Sequence, residues 1–457
     1  MLRRPGATAA LLVPALLGAG CARPRDPNVV LITLDTVRAD HLSCYGYPVR
    51  TSPRIDALAR VATLYRRALA SSPWTLPTHA SLFTGRHPYE HGAHGFKVTE
   101  DVPDNAYPLG AEQLTLAEAL QAEGYETVAV VANAGYMAQR YRLDQGFEAY
   151  WVKPGRAARK NGQVYEWLEA RRKDRPFFLF VNYMDAHRPY NAAERPGFLP
   201  RPVSQNPNLI ARLAEAVMPG DADAPEALRQ QVVDQYDTAL ANLDEELGRL
   251  FDRLEAEGLW DDALVVVTSD HGEFLGEHRL AEHSKDLYQE VLAVPLIVKA
   301  PRQREGRVSE QAITSVDVPR LVVSQLARER HARLLAAFPY EPGNHPVLAE
   351  LYYTRTKDLI HPRWGHRFDR VRTALLRWPT KLIHSSDGRH ELYDLAGDPG
   401  EARDLHAERQ ALAASLLGEL EAFRRAHPGY PGRREAAPLA PEDLEELRAL
   451  GYVGAPP

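Results

Sequence analysis

The sequence predicts an α/β protein with a large domain, in which helices flank a mostly parallel mixed sheet, followed by a small α+β domain. Three observations lead to this fold class. Apolar, β-branched runs alternate with helical patterns up to about residue 300, polar residues stand directly after those runs, and shorter strand-like pieces begin near residue 340. Strands separated by helices are typically parallel neighbours in one sheet.

The first predicted strand is the run 28–34, which carries no charge and is typical of a strand covered on both faces. Helical patterns lie between the later runs, and one of them covers residues 114–123. Runs of the same kind occur at residues 127–132, 176–182, 264–268 and 294–300.

The segment 192–250 begins with many Pro and Asn residues and then becomes helical, which indicates an insertion followed by an amphipathic helix over 225–254. We predict a catalytic domain over 27–335 and a small α+β subdomain over 340–427, with strands at 347–354 and 380–384. The remainder, 428–457, reads as a tail with a short terminal helix near 441–450.

Residues 1–21 have the pattern of an export signal: a basic start, an apolar stretch over 9–17, and small residues before Cys21. A secretory signal and a lipoprotein signal acylated at Cys21 both fit this pattern. We therefore expect a periplasmic or cell-envelope protein, with the membrane as a partner through a lipid anchor at Cys21 in the second case. Cys44 is the other cysteine, so no disulfide framework is expected.

Charge and composition point away from nucleic acid as a partner. The formal net charge is -6, and the arginines are scattered among acidic residues.

Polar side chains follow four of the predicted strands. They are Asp35, Asn133, Asp185 with His187, and Asp270 with His271. Because ligands bind beyond the carboxyl ends of parallel strands, these side chains are expected to form one pocket.

Thr75 lies where turn residues give way to a helix-compatible run. A hydroxyl at a helix start faces free backbone amides and the positive end of the helix dipole, which favours an anionic substrate. An N-cap is the commoner role for such a residue. Asp35, Asp270 and His271 favour the other interpretation, because a divalent cation is one of the few groups that activate a threonine hydroxyl.

Several motifs in order along the chain resemble those of sulfatases, in the alkaline phosphatase superfamily. They include the run 28–35 with Arg38-Ala39-Asp40-His41, the stretch 76–86, the motif 269–278, and the later pieces 287–290, 294–297 and 391–395. The resemblance covers almost the whole mature chain. It implies an alkaline phosphatase-like fold and a metal-dependent ester hydrolase.

The chain departs from the family pattern at four positions. Thr75 stands where sulfatases carry the Cys or Ser that becomes formylglycine, so no formylglycine is expected. His79 replaces an Arg, Thr36 replaces the second Asp of the first motif, and His283 takes the place of a Lys. This pattern is closer to phospho-ester relatives, in which a Thr is transiently esterified.

The resemblance implies a first metal site made of Asp35, Thr75, Asp270 and His271. His187 and His283 would hold a second ion, or hydrogen-bond the transferred group and protonate the leaving oxygen, and Asp185 is a further candidate ligand. One or two divalent ions are expected, Zn or Mn first and Ca or Mg as alternatives.

The expected activity is hydrolysis of a small anionic ester, or of a lipid-linked or glycan-linked ester, with Thr75 as the nucleophile. A phosphate, phosphodiester or phosphonate ester is favoured over a sulfate ester. The alternatives are a sulfuric ester hydrolase of the arylsulfatase kind, a phosphoryl-group transferase, and an inactive binding protein with the sulfatase fold.

Overall fold

The structure is a computed structural model that describes residues 26–98, 102, 104–190, 193–326, 328–432, 435–437 and 439–449. The predicted export signal and Cys21 lie outside the described residues. Within the described part of the chain, no helix is long and apolar enough to cross a membrane.

Fourteen strands occur in the described residues. They are β1 Val29–Leu34, β2 Thr63–Leu69, β3 Glu126–Val131, β4 Ala149–Val152, β5 Phe177–Tyr183, β6 Leu264–Thr268, β7 Phe274–Leu275, β8 Ala281–Glu282, β9 Leu296–Lys299, β10 Arg307–Thr314, β11 Val347–Tyr352, β12 Val371–Arg377, β13 Thr380–Ser385 and β14 Glu391–Asp394.

Thirteen α-helices occur in the same residues. They are α1 Pro53–Ala59, α2 Thr75–Thr84, α3 Pro88–His91, α4 Leu116–Ala122, α5 Ala157–Ala170, α6 Leu209–Val217, α7 Glu226–Ala256, α8 Gln289–Leu292, α9 Val318–Ser324, α10 Arg328–Ala337, α11 Thr356–Leu359, α12 Gln410–Ala426 and α13 Pro441–Ala449.

The large sheet has eight strands in the order β10-β2-β9-β6-β1-β5-β3-β4. All neighbours are parallel except β9, which runs antiparallel to both β2 and β6. The predicted fold class, a mostly parallel mixed sheet with a small second domain, is confirmed. Every residue of β1 and β5 is buried, as their uncharged sequences predicted.

Three strands nearer the sheet edges were not predicted from the sequence. β10 is largely exposed, β4 is only partly buried, and β2 carries the consecutive residues Arg66 and Arg67. These strands contact solvent on one side, so they lack the continuous apolar runs that identify the central strands.

The second sheet has four antiparallel strands in the order β11-β12-β13-β14. Helix α12 packs on this sheet, and Leu416 and Leu420 join a separate small core with Leu348 and Leu375. β11 also reaches the large domain, because the backbone N–H of Glu350 donates to the carbonyl of Ser71 at 2.9 Å. The small sheet therefore lies against the loop that precedes α2.

Candidate metal and catalytic site

Asp35, Asp270 and His271 come together at the carboxyl end of the large sheet. Asp35 directly follows β1, and Asp270 and His271 follow the neighbouring strand β6. One ligand atom from each residue lies within 4.8 Å of the others, and all three side chains are fully buried. Two carboxylates and an imidazole form a donor set that suits a divalent cation.

The polar atoms of this cluster fit a bound cation. Asp35 Oδ1 and Asp270 Oδ2 are buried and have no hydrogen-bond partner among the residues that the structure describes. His271 Nδ1 donates to the carbonyl of Gly272 at 2.9 Å, so Nε2 presents its lone pair 3.4 Å from Asp270 Oδ2 and 4.0 Å from Asp35 Oδ1. Buried, unsatisfied oxygens are costly unless a ligand engages them.

The pKa values of these groups reflect two carboxyls buried side by side without a cation. Burial, with the charge of Asp270 second, raises the pKa of Asp35 to about 8. Burial also raises the pKa of Asp270 to about 7 and lowers that of His271. A divalent cation would reverse this balance, because it favours the ionised carboxylates and the neutral imidazole.

At Gly272, the backbone beside this cluster leaves no room for a side chain. A Cβ added to Gly272 would lie 2.0 Å from the carbonyl oxygen of Glu290. The N–H of Gly272 donates to the carbonyl of Val291 at 2.8 Å, which ties the segment after β6 to α8. A glycine is required here for the close approach of the two backbones.

Thr75 is the first residue of α2, and its side chain faces the cluster. Its Oγ1 lies 3.4 Å from His271 Nε2 and 3.3 Å from Asn133 Nδ2. The residue is only 1% exposed, and Trp74 occupies the N-cap position instead. The helix-start position was predicted from the sequence, and the N-cap role is not the one the structure gives to Thr75.

Asn133 links Asp35 to Thr75. Its Nδ2 donates to Asp35 Oδ2 at 2.9 Å and lies 3.3 Å from Thr75 Oγ1, while its backbone N–H donates to Asn182 Oδ1 at 3.0 Å. The sequence placed Asn133 at a strand end but gave it no specific partner. The amide orients one oxygen of Asp35 and leaves the other directed to the cluster.

His79 supports Thr75 from one turn farther along α2. Its Nδ1 donates to the carbonyl of Thr75 at 2.9 Å, and its Nε2 accepts from the hydroxyl of Thr33 at 3.0 Å. Burial lowers the pKa of His79 to about 3, so the ring is neutral. The position that holds Arg in sulfatases therefore carries no positive charge in this chain.

Thr36 has a structural role that the sequence did not show. Its φ of 62° lies in the left-handed region, which a β-branched residue rarely adopts. The conformation lets its N–H donate to Asp270 Oδ1 at 3.3 Å and its hydroxyl donate to the carbonyl of Ala186 at 2.8 Å. Thr36 thus holds Asp270 in position through its backbone.

His283 and His187 lie beyond His271. The His283 ring is centred 4.5 Å from that of His271 and 5.2 Å from that of His187. His283 Nδ1 lies 2.9 Å from Glu273 Oε1, and His187 Nδ1 donates to the carbonyl of Arg188 at 2.8 Å. When Nδ1 of a neutral imidazole donates in this way, Nε2 is the acceptor, as in most histidine metal ligands.

The environment keeps these two rings neutral. Burial, with the charge of Arg188 second, lowers the pKa of His187 to about 3, and burial holds the pKa of His283 well below its ordinary value. Glu273, which sequence reasoning missed as a site residue, is fully buried and also accepts from Tyr190 Oη at 2.8 Å. Its place directly after Asp270-His271-Gly272 was the available signal.

Asp185 has a different partner from the other candidate ligands. Its Oδ2 accepts from the backbone N–H of Ala157 at 2.9 Å, at the start of α5. Burial raises the pKa of Asp185 to about 6. Asp185 is not one of the three residues whose ligand atoms group within 4.8 Å.

Comparisons with known proteins agree with the motifs. Residues 27–326 match the family model described as Sulfatase. An ulvan-active sulfatase of Formosa agariphila is 27% identical over 314 residues, which are 61% of this chain and 57% of that protein. The multifunctional alkaline phosphatase superfamily protein PehA of Trinickia caryophylli is 25% identical, over 71% of this chain and 79% of its own length.

A solved structure shares the fold. The phosphonate monoester hydrolase of Agrobacterium radiobacter superposes with a TM-score of 0.66 at 20% identity, over 88% of this chain and 96% of its own. The predicted alkaline phosphatase-like fold is thereby confirmed.

Proposed function

Because the chain belongs to the sulfatase family and is an ester hydrolase of the alkaline phosphatase-like fold, we propose that Thr75 is its nucleophile and that its substrate is a phosphate, phosphodiester or phosphonate ester. The observation that carries this proposal is the Thr75 hydroxyl, which is buried 3.4 Å from His271 Nε2 beside the three clustered side chains.

Asp35, Asp270 and His271, with Thr75 Oγ1, would hold a divalent cation, for which Zn or Mn is the expected identity. When bound, such an ion lowers the pKa of the threonine hydroxyl and offsets the negative charge of the substrate.

In the first step, Thr75 Oγ1 gives up its proton to solvent and attacks phosphorus. A phosphorus–oxygen bond forms to Thr75, the bond to the alcohol breaks, and its electron pair stays on the leaving oxygen. The side-chain amide of Asn133 donates toward Thr75 Oγ1 and keeps it in line with the cluster.

The leaving oxygen needs a proton, and we assign that role to His187 or His283. Both rings direct Nε2 away from the groups that engage Nδ1. Their lowered pKa values make the protonated form a strong acid, although a less populated one. In the second step a water attacks phosphorus and gives a proton to the histidine, the bond to Thr75 breaks, and Thr75 Oγ1 recovers a proton from solvent.

Two features favour a phosphoric over a sulfuric ester. Formylglycine cannot arise from Thr75, and His79, at the position of the sulfatase Arg, is neutral and turned to the Thr75 carbonyl and Thr33. A phosphate monoester dianion gains most from a cation with carboxylate ligands, whereas a sulfate monoanion relies more on fixed positive side chains. The similarity to a multifunctional alkaline phosphatase superfamily protein and to a phosphonate monoester hydrolase is consistent with this choice.

We further propose that the protein is exported, either as a soluble periplasmic or cell-envelope protein or anchored by lipid at Cys21. The basic start and the small residues before Cys21 support this. Mass spectrometry of the mature amino terminus tests it, and a native protein that retains Met1 would refute it.

A matched ester panel tests the function. Purified protein loaded with Zn or Mn is assayed on phenyl phosphate, a phenyl phosphodiester, a phenyl phosphonate and phenyl sulfate, each with and without an added alcohol acceptor. We expect the highest kcat/KM on a phosphorus ester, and loss of that activity in Thr75→Ala. A preference for phenyl sulfate would establish the alternative sulfuric ester hydrolase, and activity that requires the acceptor would establish a transferase.

A further inference from the structure

A small cavity adjoins the candidate site on the side of His187. It measures about 200 Å³ and is lined in part by Ala132, Met184, His187, Arg156 and Arg188. Ala132 directly precedes Asn133, which bonds Asp35 and Thr75. His187 lines the cavity and its ring is centred 5.2 Å from that of His283, so the cavity lies on the side of the site where we place the leaving oxygen.

The size and lining of the cavity limit what it can hold. Pockets for drug-sized ligands usually span about 300–1,000 Å³, so a volume of about 200 Å³ suits one ring. Ala132, Met184 and two prolines supply apolar walls, whereas the two arginines supply positive charge. An apolar body with one negatively charged substituent matches both properties.

Arg188 belongs to a network of ion pairs. Glu282 contacts Arg188 at 3.0 Å, Arg355 at 2.6 Å, Lys357 at 3.7 Å and Lys285 at 4.0 Å. The second carboxylate, Asp358, is shared by Lys285 and Arg355. The ion pair with Glu282 holds Arg188, which also lines the cavity, so a positively charged residue is fixed in this wall.

Arg156 stands on the other wall of the cavity, at the N-terminal end of α5. Its side chain is exposed, and Asp185, which also lines the cavity, binds the N–H of Ala157 beside it. An anion that entered the cavity would therefore meet Arg188 within the wall and Arg156 at the entrance.

We infer that this cavity is a subsite for the leaving group of the substrate, and that Arg156 and Arg188 select a leaving alcohol or phenol that carries a second anionic group. This inference rests on the proposed function, because it takes the reacting ester to lie at Thr75. The organic part of the substrate would then be one ring-sized unit that carries a carboxylate, phosphate or sulfate substituent.

The kinetic test compares phenyl phosphate with 4-carboxyphenyl phosphate, two esters that differ in one negative charge on the leaving group. Arg156→Gln should raise KM for the carboxylated ester by about tenfold, the value of one charge-assisted hydrogen bond, and far less for the uncharged one. Arg172→Gln, at an exposed residue beyond the far end of α5, is the matched control and should change neither KM. Met184→Trp should fill the cavity and raise KM for both esters.

A binding test separates this inference from the proposed reaction. Calorimetry on the metal-loaded Thr75→Ala protein should show tighter binding of 4-hydroxybenzoate than of phenol, and Arg156→Gln should remove the difference. That readout needs no turnover, so it still reports on the subsite if Thr75 is not the nucleophile. Equal binding of the two phenols, or equal effects of Arg156→Gln on both esters, would overturn the inference.

Discussion

Thr75 and His271, which are 196 residues apart in the sequence, meet with Oγ1 3.4 Å from Nε2. The contact brings the start of α2 against the end of β6, so that a hydroxyl faces two buried carboxyls and an imidazole. Substitution or titration of any one of these groups should therefore change activity or metal binding.

Asp270→Asn should abolish most of the activity and weaken metal binding. The substitution keeps the side-chain shape but removes the charge of one proposed ligand. Because changes even to the partners of metal ligands cost about 10–100-fold, we expect a loss of more than about 100-fold in kcat/KM. Metal content measured by atomic emission, with circular dichroism as a check of the fold, would show the cause. A folded variant with stoichiometric metal and full activity would remove Asp270 from the site.

Asn133→Ala should lower kcat by about 10–100-fold with a smaller change in KM, because it removes the amide that orients Asp35 and Thr75. Asn344→Ala, at an exposed asparagine, is the control and should leave kcat unchanged. Steady-state kinetics on the best phosphorus ester measure both. An Asn133→Ala enzyme with the parent kcat would show that this amide does not position the nucleophile.

Metal affinity should rise with pH. In the metal-free protein the pKa of Asp35 is raised to about 8 and that of Asp270 to about 7. A cation needs both carboxylates ionised, so below about pH 7 it must displace protons, and above about pH 8 it need not. Burial lowers the pKa of His271, and any proton that the cation displaces from this ring changes the affinity in the same direction.

Calorimetric titration of the metal-free protein with Zn or Mn, in buffers of different ionisation enthalpy, measures the released protons directly. Release of nearly two protons at pH 6 that falls to about half a proton near pH 8 is the expected result for these two carboxyls. An affinity that does not change between these pH values would contradict the assigned ligand set.

The sequence indicated which strand ends converge better than how their side chains are oriented. Asp35, Asp270 and His271 follow uncharged strands, and strand ends of a parallel sheet meet at one edge, so their convergence could be anticipated. Asp185 and His187 follow the same strand, yet one caps α5 and the other approaches His283. Such a divergence depends on the turn after β5, which a residue pattern does not encode.

The backbone conformation and the hydrogen-bond partners of individual side chains could not be predicted from the sequence either. From the sequence, Thr36 is interpreted as the loss of a metal ligand. In the structure, its left-handed backbone conformation lets its N–H donate to Asp270. From the sequence, His79 occupies the position of a sulfatase Arg. In the structure, burial lowers the pKa of this ring, and its Nδ1 donates to the Thr75 carbonyl. The edge strands were missed for a related reason, because one solvent-facing side interrupts the apolar run.

The most direct test of the account is whether Thr75 carries the phosphoryl group during turnover. The metal-loaded protein is mixed with its best phosphorus ester, quenched with acid within one turnover, digested and analysed by mass spectrometry, with Thr75→Ala as the control. We predict phosphothreonine at Thr75 in the parent protein, none in Thr75→Ala, and partial activity in Thr75→Ser, which keeps the hydroxyl. An unmodified Thr75 together with a Thr75→Ala variant that hydrolyses the ester as fast as the parent would contradict the account.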